Sequence, residues 1–121
     1  MANEDISPQL QDQINRFQQL KAQIQVISQQ RQQIEIQLRE TEEALSEIEK
    51  ISTGTPIYKS IGALLIKTKT KSEVKKELLS NKESLELRKT TLEKQEGRSQ
   101  EKLSELQSKI QNSIKLGGQE N

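Results

Sequence analysis

A seven-residue recurrence of apolar side chains constrains this chain more than any other feature. With position a set at Leu10, the a series reads Leu10, Phe17, Ile24, Arg31, Leu38 and Leu45, and the d series reads Gln13, Leu20, Ile27, Ile34, Thr41 and Ile48. Apolar residues at this spacing form one stripe along a helix and call for a second helix to cover it. The register holds for about six heptads, and Arg31, Gln13 and Thr41 alone interrupt it. Gln, Glu, Arg and Lys fill most other positions, as on the wet faces of a coil. With 30% hydrophobic, 2% aromatic and 31% charged residues, a wide apolar core is excluded and a thin structure is favoured. Disorder, the competing reading of such polarity, gives no reason for regular apolar spacing.

The first helix is predicted over 7–52. Ser7 offers a hydroxyl to the free amides of the first turn, and Pro8 has no amide to leave unpaired. Thr53, Gly54, Thr55 and Pro56 supply a glycine stop and a residue that cannot continue the ladder. The segment 55–69 differs in character: Ile57, Tyr58, Ile61, Leu64, Leu65 and Ile66 crowd together around Gly62. This reads as a β-hairpin turning at Ile61, Gly62 and Ala63. Thr70 with Glu73 matches a capping box, and a second helix is predicted over 72–115, with a frayed tail at 116–121. Its d series is Leu78, Leu85, Leu92, Ser99, Leu106 and Ser113, and its a series is Lys75, Lys82, Lys89, Glu96, Leu103 and Ile110. Gly97 in mid-helix marks a soft point or a close approach.

So short a connection returns the chain alongside itself, which predicts a mainly α fold: a long antiparallel two-helix coiled coil joined by a single β-hairpin. The two registers match if Leu45 lies beside Leu78, Leu38 beside Leu85, Phe17 beside Leu106 and Leu20 beside Leu103. Glu40, Glu42, Glu43, Glu47 and Glu49 then run alongside Lys75, Lys76, Lys82, Arg88 and Lys89. Two apolar surfaces are left over. A lone hairpin this greasy is marginal in water and needs strands from other subunits, with a local clasp that merely closes the coil as the less favoured alternative. At the open end, Ile6, Leu10, Ile14, Phe17, Leu20, Leu103, Leu106, Ile110, Ile114 and Leu116 exceed what a seam can hide. Most of these are explained as seam packing, and Ile14 and Ile114, at e positions, are the informative members.

Nineteen basic against 18 acidic residues give a net charge of +1, which offers no general attraction for nucleic acid. The absence of Cys and His removes disulfides, thiol nucleophiles, imidazole chemistry and most transition-metal sites. No signal peptide or membrane segment is recognisable, so a soluble, cytoplasmic protein is expected. The carboxylates have no pocket around them and read as solvated faces, and no enzyme, cofactor or metal is expected. The run from Lys67 to Lys71 reads as a charged edge that discourages strand pairing, with an acidic partner as the alternative.

The sequence Ile57-Tyr58-Lys59-Ser60-Ile61-Gly62, followed by Leu64-Leu65-Ile66 and set between two long helices, resembles the beta-subunit family of archaeal-type prefoldin over nearly the whole chain. The resemblance implies a hexamer of two alpha and four beta subunits, in which hairpins assemble into an intersubunit β-barrel platform and coils hang from it. Platform assembly then falls to Ile57, Tyr58, Ile61, Gly62, Leu64, Leu65 and Ile66. It further implies an ATP-independent holdase that captures unfolded proteins at the coil tips and delivers them to a group II chaperonin, with no role for nucleic acid or membrane. The alternative is a structural or adaptor coil that joins folded partners.

Overall fold

In the computed structural model, residues 7–119 are described, and the side chains of 7–115. The element order is α1 (Pro8–Lys50), β1 (Tyr58–Ile61), β2 (Leu64–Lys67) and α2 (Lys71–Gln119). Helix α1 begins as its sequence demands: the Leu10 amide donates to Ser7 Oγ at 3.0 Å, and the Gln11 amide to the Ser7 carbonyl at 2.9 Å. Its end differs in mechanism from the expected glycine stop. Gly54 does not adopt a left-handed conformation, and among the described residues Gly62 is the one with positive φ. Instead the last turn of α1 tightens, with the Ile51 amide donating to the Ile48 carbonyl at 3.4 Å, while Lys71 Nζ donates to the Ile51 carbonyl at 2.9 Å. A lysine from across the connection thus satisfies a carbonyl that the helix end leaves open.

The strands pair antiparallel, Tyr58 opposite Lys67, Lys59 opposite Ile66, Ser60 opposite Leu65 and Ile61 opposite Leu64. The Thr68 amide donates to the Ile57 carbonyl at 2.8 Å and extends the ladder by a rung. Gly62 and Ala63 form the loop, and Gly62 has a φ of +58° while Ala63 remains on the negative side. Positive φ at the first loop residue alone is the signature of a type II′ turn, which suits the twist of a two-residue hairpin. Thr70 caps α2, accepting from the Glu73 amide at Oγ1 (3.3 Å) and from the Val74 amide at its carbonyl (3.0 Å). Helix α2 then runs to Gln119, beyond the expected end at Lys115, so 116–119 are helical where a frayed tail was predicted. Gly117 and Gly118 weaken a helix by about 1 kcal/mol each, but they do not block it as proline would.

The chain divides into two compact units, one comprising Gln32–Thr90 and the other Met1–Arg31 with Thr91–Asn121. Within Gln32–Thr90, Ile34, Leu38 and Ile48 are buried, and Thr41, Leu45, Lys75, Leu78, Lys82, Leu85 and Lys89 are half-buried. All are a or d positions. The three lysines keep their stems in the seam and their ammonium groups toward water. Lys75 Nζ pairs with Glu49 Oε1 at 2.5 Å, which holds the Glu49 carboxyl below the usual glutamate range, through the Lys75 hydrogen bond first and its charge second.

In the terminal unit Ile24 is buried and the remaining described a and d residues, from Leu10 to Arg31 and from Leu92 to Ser113, are half-buried. Polar contacts between described residues cross this seam. Arg31 Nε donates to Glu96 Oε1 at 3.1 Å, and Ser113 Oγ to Gln13 Oε1 at 3.4 Å. Ascending α1 from Gln13 to Arg31 therefore descends α2 from Ser113 to Glu96, and the helices run antiparallel. Under the expected layers Gln13 faces Ile110 and Arg31 faces Leu92, so these contacts lie one turn further along α2. Side chains lean toward the N-terminus of their own helix, and in an antiparallel pair both leans displace contacts in this direction.

Candidate functional site

Two surfaces were singled out by the sequence, and each lies within one unit. In Gln32–Thr90 the hairpin projects most of its apolar side chains into solvent. Tyr58 is 59% exposed, Leu64 66% and Leu65 73%, with Ile61 and Ile66 near half, and Ile57 half-buried. Strand pairing sorts them by face. Tyr58 and Lys67, with Ser60 and Leu65, share one face, and Ile61 and Leu64, with Lys59 and Ile66, share the other. An open cleft of about 920 Å³ lies against the hairpin, lined in part by Ile48, Ile57, Ile61, Ile66, Val74 and Leu78. Both strands are edges of a two-stranded sheet, so each presents backbone groups that a further strand would satisfy.

The basic run beside this surface is largely occupied from within. Lys69 Nζ pairs with Glu77 Oε1 at 2.9 Å, which raises the lysine above its ordinary range and lowers the glutamate, by hydrogen bonding first and charge second. Lys71 is held by the Ile51 carbonyl. The charged-edge reading fits this arrangement better than an acidic partner does.

In the terminal unit, Leu10, Phe17, Leu20, Leu103, Leu106 and Ile110 are half-buried in the seam. The off-seam pair separates: Ile14 is half-buried and Ile114 is 57% exposed. Ile6 and the Leu116 side chain lie outside the described residues. Two shallow grooves flank the seam. Ile14, Phe17 and Ile110 share one, of about 360 Å³, with Gln18, Gln107 and Gln111 at its rim. Leu20 and Leu106 share the other, of about 330 Å³, rimmed by Arg16, Lys102 and Lys109. The grooves thus offer apolar floors with polar walls, suited to shallow contacts with apolar side chains.

Sequence reasoning passed over Val26, Ile36, Leu79 and Leu87, which are also exposed. Their positions at c, f, e and f were the available signal. Among the described residues no cluster of three carboxylates converges as a metal site, and no helix is long and apolar enough to cross a membrane.

Comparison with known proteins agrees with this anatomy. The family model described as prefoldin subunit matches residues 11–116. The prefoldin subunit beta of Archaeoglobus fulgidus is 44% identical over 108 residues, covering 89% of this chain and 92% of that one. That of Thermococcus onnurineus is 40% identical, covering 93% and 96%. The crystal structure of the prefoldin beta subunit from Thermococcus strain KS-1 superposes with a TM-score of 0.79 at 38% identity, covering 89% of this chain and 94% of that one. A second crystal structure from that strain, of the beta2 subunit, gives a TM-score of 0.66 at 25% identity, covering 76% and 97%. Two long helices with an antiparallel hairpin between them, matched in sequence from end to end of the described seam, place the chain in the prefoldin subunit family of chaperones, among the archaeal beta subunits.

Proposed function

We propose that this chain is a subunit of an ATP-independent holdase, assembled through its hairpin and binding unfolded proteins at the free ends of its helices. The family forms oligomers with other prefoldin subunits, and the observation that supports a role for the hairpin is its apolar exposure. Tyr58, Ile61, Leu64, Leu65 and Ile66 all face solvent on the two strands that flank the turn. Removing such a side chain from water contributes on the order of 1.5 to 3 kcal/mol, which a lone hairpin forgoes. Burying them between copies, as an intersubunit β-barrel in a hexamer of two alpha and four beta subunits, satisfies both the side chains and the open strand edges.

The helix ends supply the capture surface on this reading. Ile114 with the groove floors at Phe17, Ile110, Leu20 and Leu106 makes weak contacts with the apolar segments that non-native chains expose. Several arms in one oligomer convert weak contacts into long residence, while each contact remains easy to break. Release requires no nucleotide and is driven by folding of the client or by transfer to a group II chaperonin in the cytoplasm.

The test uses the assembled oligomer with a chemically denatured client. Truncating both helix ends, with native mass spectrometry showing the oligomer intact, abolishes suppression of client aggregation. Undiminished suppression after that truncation removes the capture mechanism. Binding of the loaded complex to a purified group II chaperonin tests delivery separately.

A further inference from the structure

We propose that the groove floored by Leu20 and Leu106 selects among non-native segments, taking those in which an apolar side chain stands beside a carboxylate. The inference rests on capture of unfolded chains at the helix ends and names the class of segment captured there. The two grooves of the terminal unit lie on opposite flanks of the seam and differ in charge. On the flank of positions b and e, Gln18, Gln107 and Gln111 wall a floor of Phe17 and Ile110, and Lys21 is the charged residue among the described lining. On the flank of positions c and g, Arg16, Lys102 and Lys109 stand over Leu20 and Leu106, with Glu105 as the acidic member.

The three cations all fall at g, from which coiled-coil helices usually pair opposite charges across the seam. Here no such pairing is built in: Arg16 shares the groove with Lys109 from the other helix, and Gln23 shares it with Lys102. Internal carboxylates compensate only in part. Asp12 pairs with Arg16 at 3.1 Å, but the two side chains are 60% and 70% exposed, and so open a pair exchanges readily for another carboxylate. Glu105, exposed on the same helix as Lys102 and Lys109, is a single anion between two ammonium groups. The floor attracts any apolar side chain, without preference for its neighbours. The walls supply the preference: a carboxylate next to the seated side chain meets Lys102 or Lys109, and a basic neighbour meets like charge. Such charge complementarity contributes more to selection than to affinity.

The experiment uses the assembled oligomer and end-blocked, unstructured peptides of one length, built on Gly and Ser, with fluorescence anisotropy at low salt as the readout. Three peptides carry Leu at the same places, flanked by Asp, Ser or Lys, and a fourth carries the Asp residues without Leu. The Leu–Asp peptide is expected to bind about three- to tenfold more tightly than Leu–Ser, the yield of two or three exposed charge contacts, and Leu–Lys more weakly than either. The preference shrinks as salt is added. Lys102→Gln with Lys109→Gln, both at exposed positions, lowers the preference to less than about twofold while leaving Leu–Ser binding and helicity unchanged. Lys21→Gln, on the other flank, leaves the preference intact. Equal binding of Leu–Asp and Leu–Ser, or a preference undiminished in the double variant, overturns the proposal and leaves capture standing. Binding of the Asp peptide without Leu as tightly as Leu–Asp overturns it too, because the floor then plays no part. Failure of every peptide to bind overturns capture at the helix ends together with this inference.

Discussion

Gly97→Ala is expected to stabilise the protein. Gly97 is an exposed residue in the interior of α2, its φ is not positive, and a Cβ built there meets nothing within 4 Å. Of the two roles the sequence suggested, a close approach is thus excluded within the chain, leaving the soft point. Alanine in a helix interior is favoured over glycine by about 1 kcal/mol, in part because the unfolded chain has less freedom to lose. No packing term opposes that gain here. For a chain of this length the entropy of unfolding converts 1 kcal/mol into a rise in melting temperature of about 4 °C. In urea the midpoint moves up by roughly 0.3 to 1 M with an unchanged slope. Helicity by circular dichroism at 222 nm is the readout, with wild type and variant at one protein concentration because assembly adds stability by mass action. A midpoint that stays put or falls would refute the reasoning. It would mean that the folded, assembled protein uses the missing side chain or the flexibility of this turn.

Other substitutions test the remaining surfaces. Gly62→Ala, at a φ of +58°, should destabilise by about 1 to 2 kcal/mol, the penalty of a left-handed backbone for a residue with a Cβ, in the same urea titration. Leu65→Glu, at the most exposed apolar position of the hairpin, should leave helicity intact and abolish the oligomer in native mass spectrometry. Ile114→Ser should change stability by less than about 0.5 kcal/mol while weakening suppression of client aggregation, and an unaltered suppression curve would argue against capture at this residue. The Glu49 pKa is lowered by Lys75 and the Glu77 pKa by Lys69, so each pair stabilises above the ordinary glutamate pKa and loses that contribution as pH falls through the lowered folded value. The Lys69 pKa is raised, so its share is present below the ordinary lysine range and disappears as pH rises through the folded value. Carboxyl NMR titration should show the Glu49 midpoint moving up in Lys75→Gln, and no movement would discount the pair.

The seam was readable to the residue because burial in a coil depends on a period, and periods survive in sequence. Every described a and d position from Leu10 to Ile48 and from Lys75 to Ser113 is buried or half-buried, including the polar exceptions Arg31, Thr41 and the three lysines. The turn at Gly62 was readable because it requires a conformation that glycine tolerates and other residues resist. What was missed depends on terms that no period carries. The end of α1 rests on Lys71 reaching a carbonyl 20 residues earlier, a tertiary contact that replaced the expected glycine stop. The continuation of α2 through 116–119 reflects the modest size of the glycine penalty beside the momentum of an established helix. Of the helix-end set, most members had two explanations in the sequence, and their half-burial leaves both in play, while Ile114 alone among the described side chains is well clear of the seam.

Exposure by itself does not make a binding surface, and the chain contains its own control. Val26, Ile36, Leu79 and Leu87 are as exposed as several hairpin residues, but they lie on the outer faces of helices whose backbone groups are already paired. Scattered apolar side chains of this kind are ordinary on soluble proteins and create little drive toward association. The hairpin adds two conditions that these residues lack. Its apolar side chains are contiguous on both faces, so one partner can bury several together, and its strand edges carry unpaired amides and carbonyls that only another strand completes. Substituting Ile36 and Leu79 together by Gln should therefore leave the oligomer's mass unchanged under conditions where Leu65→Glu dissolves it, and dissociation by the helix variant would show that contiguity and open edges are not what drives assembly.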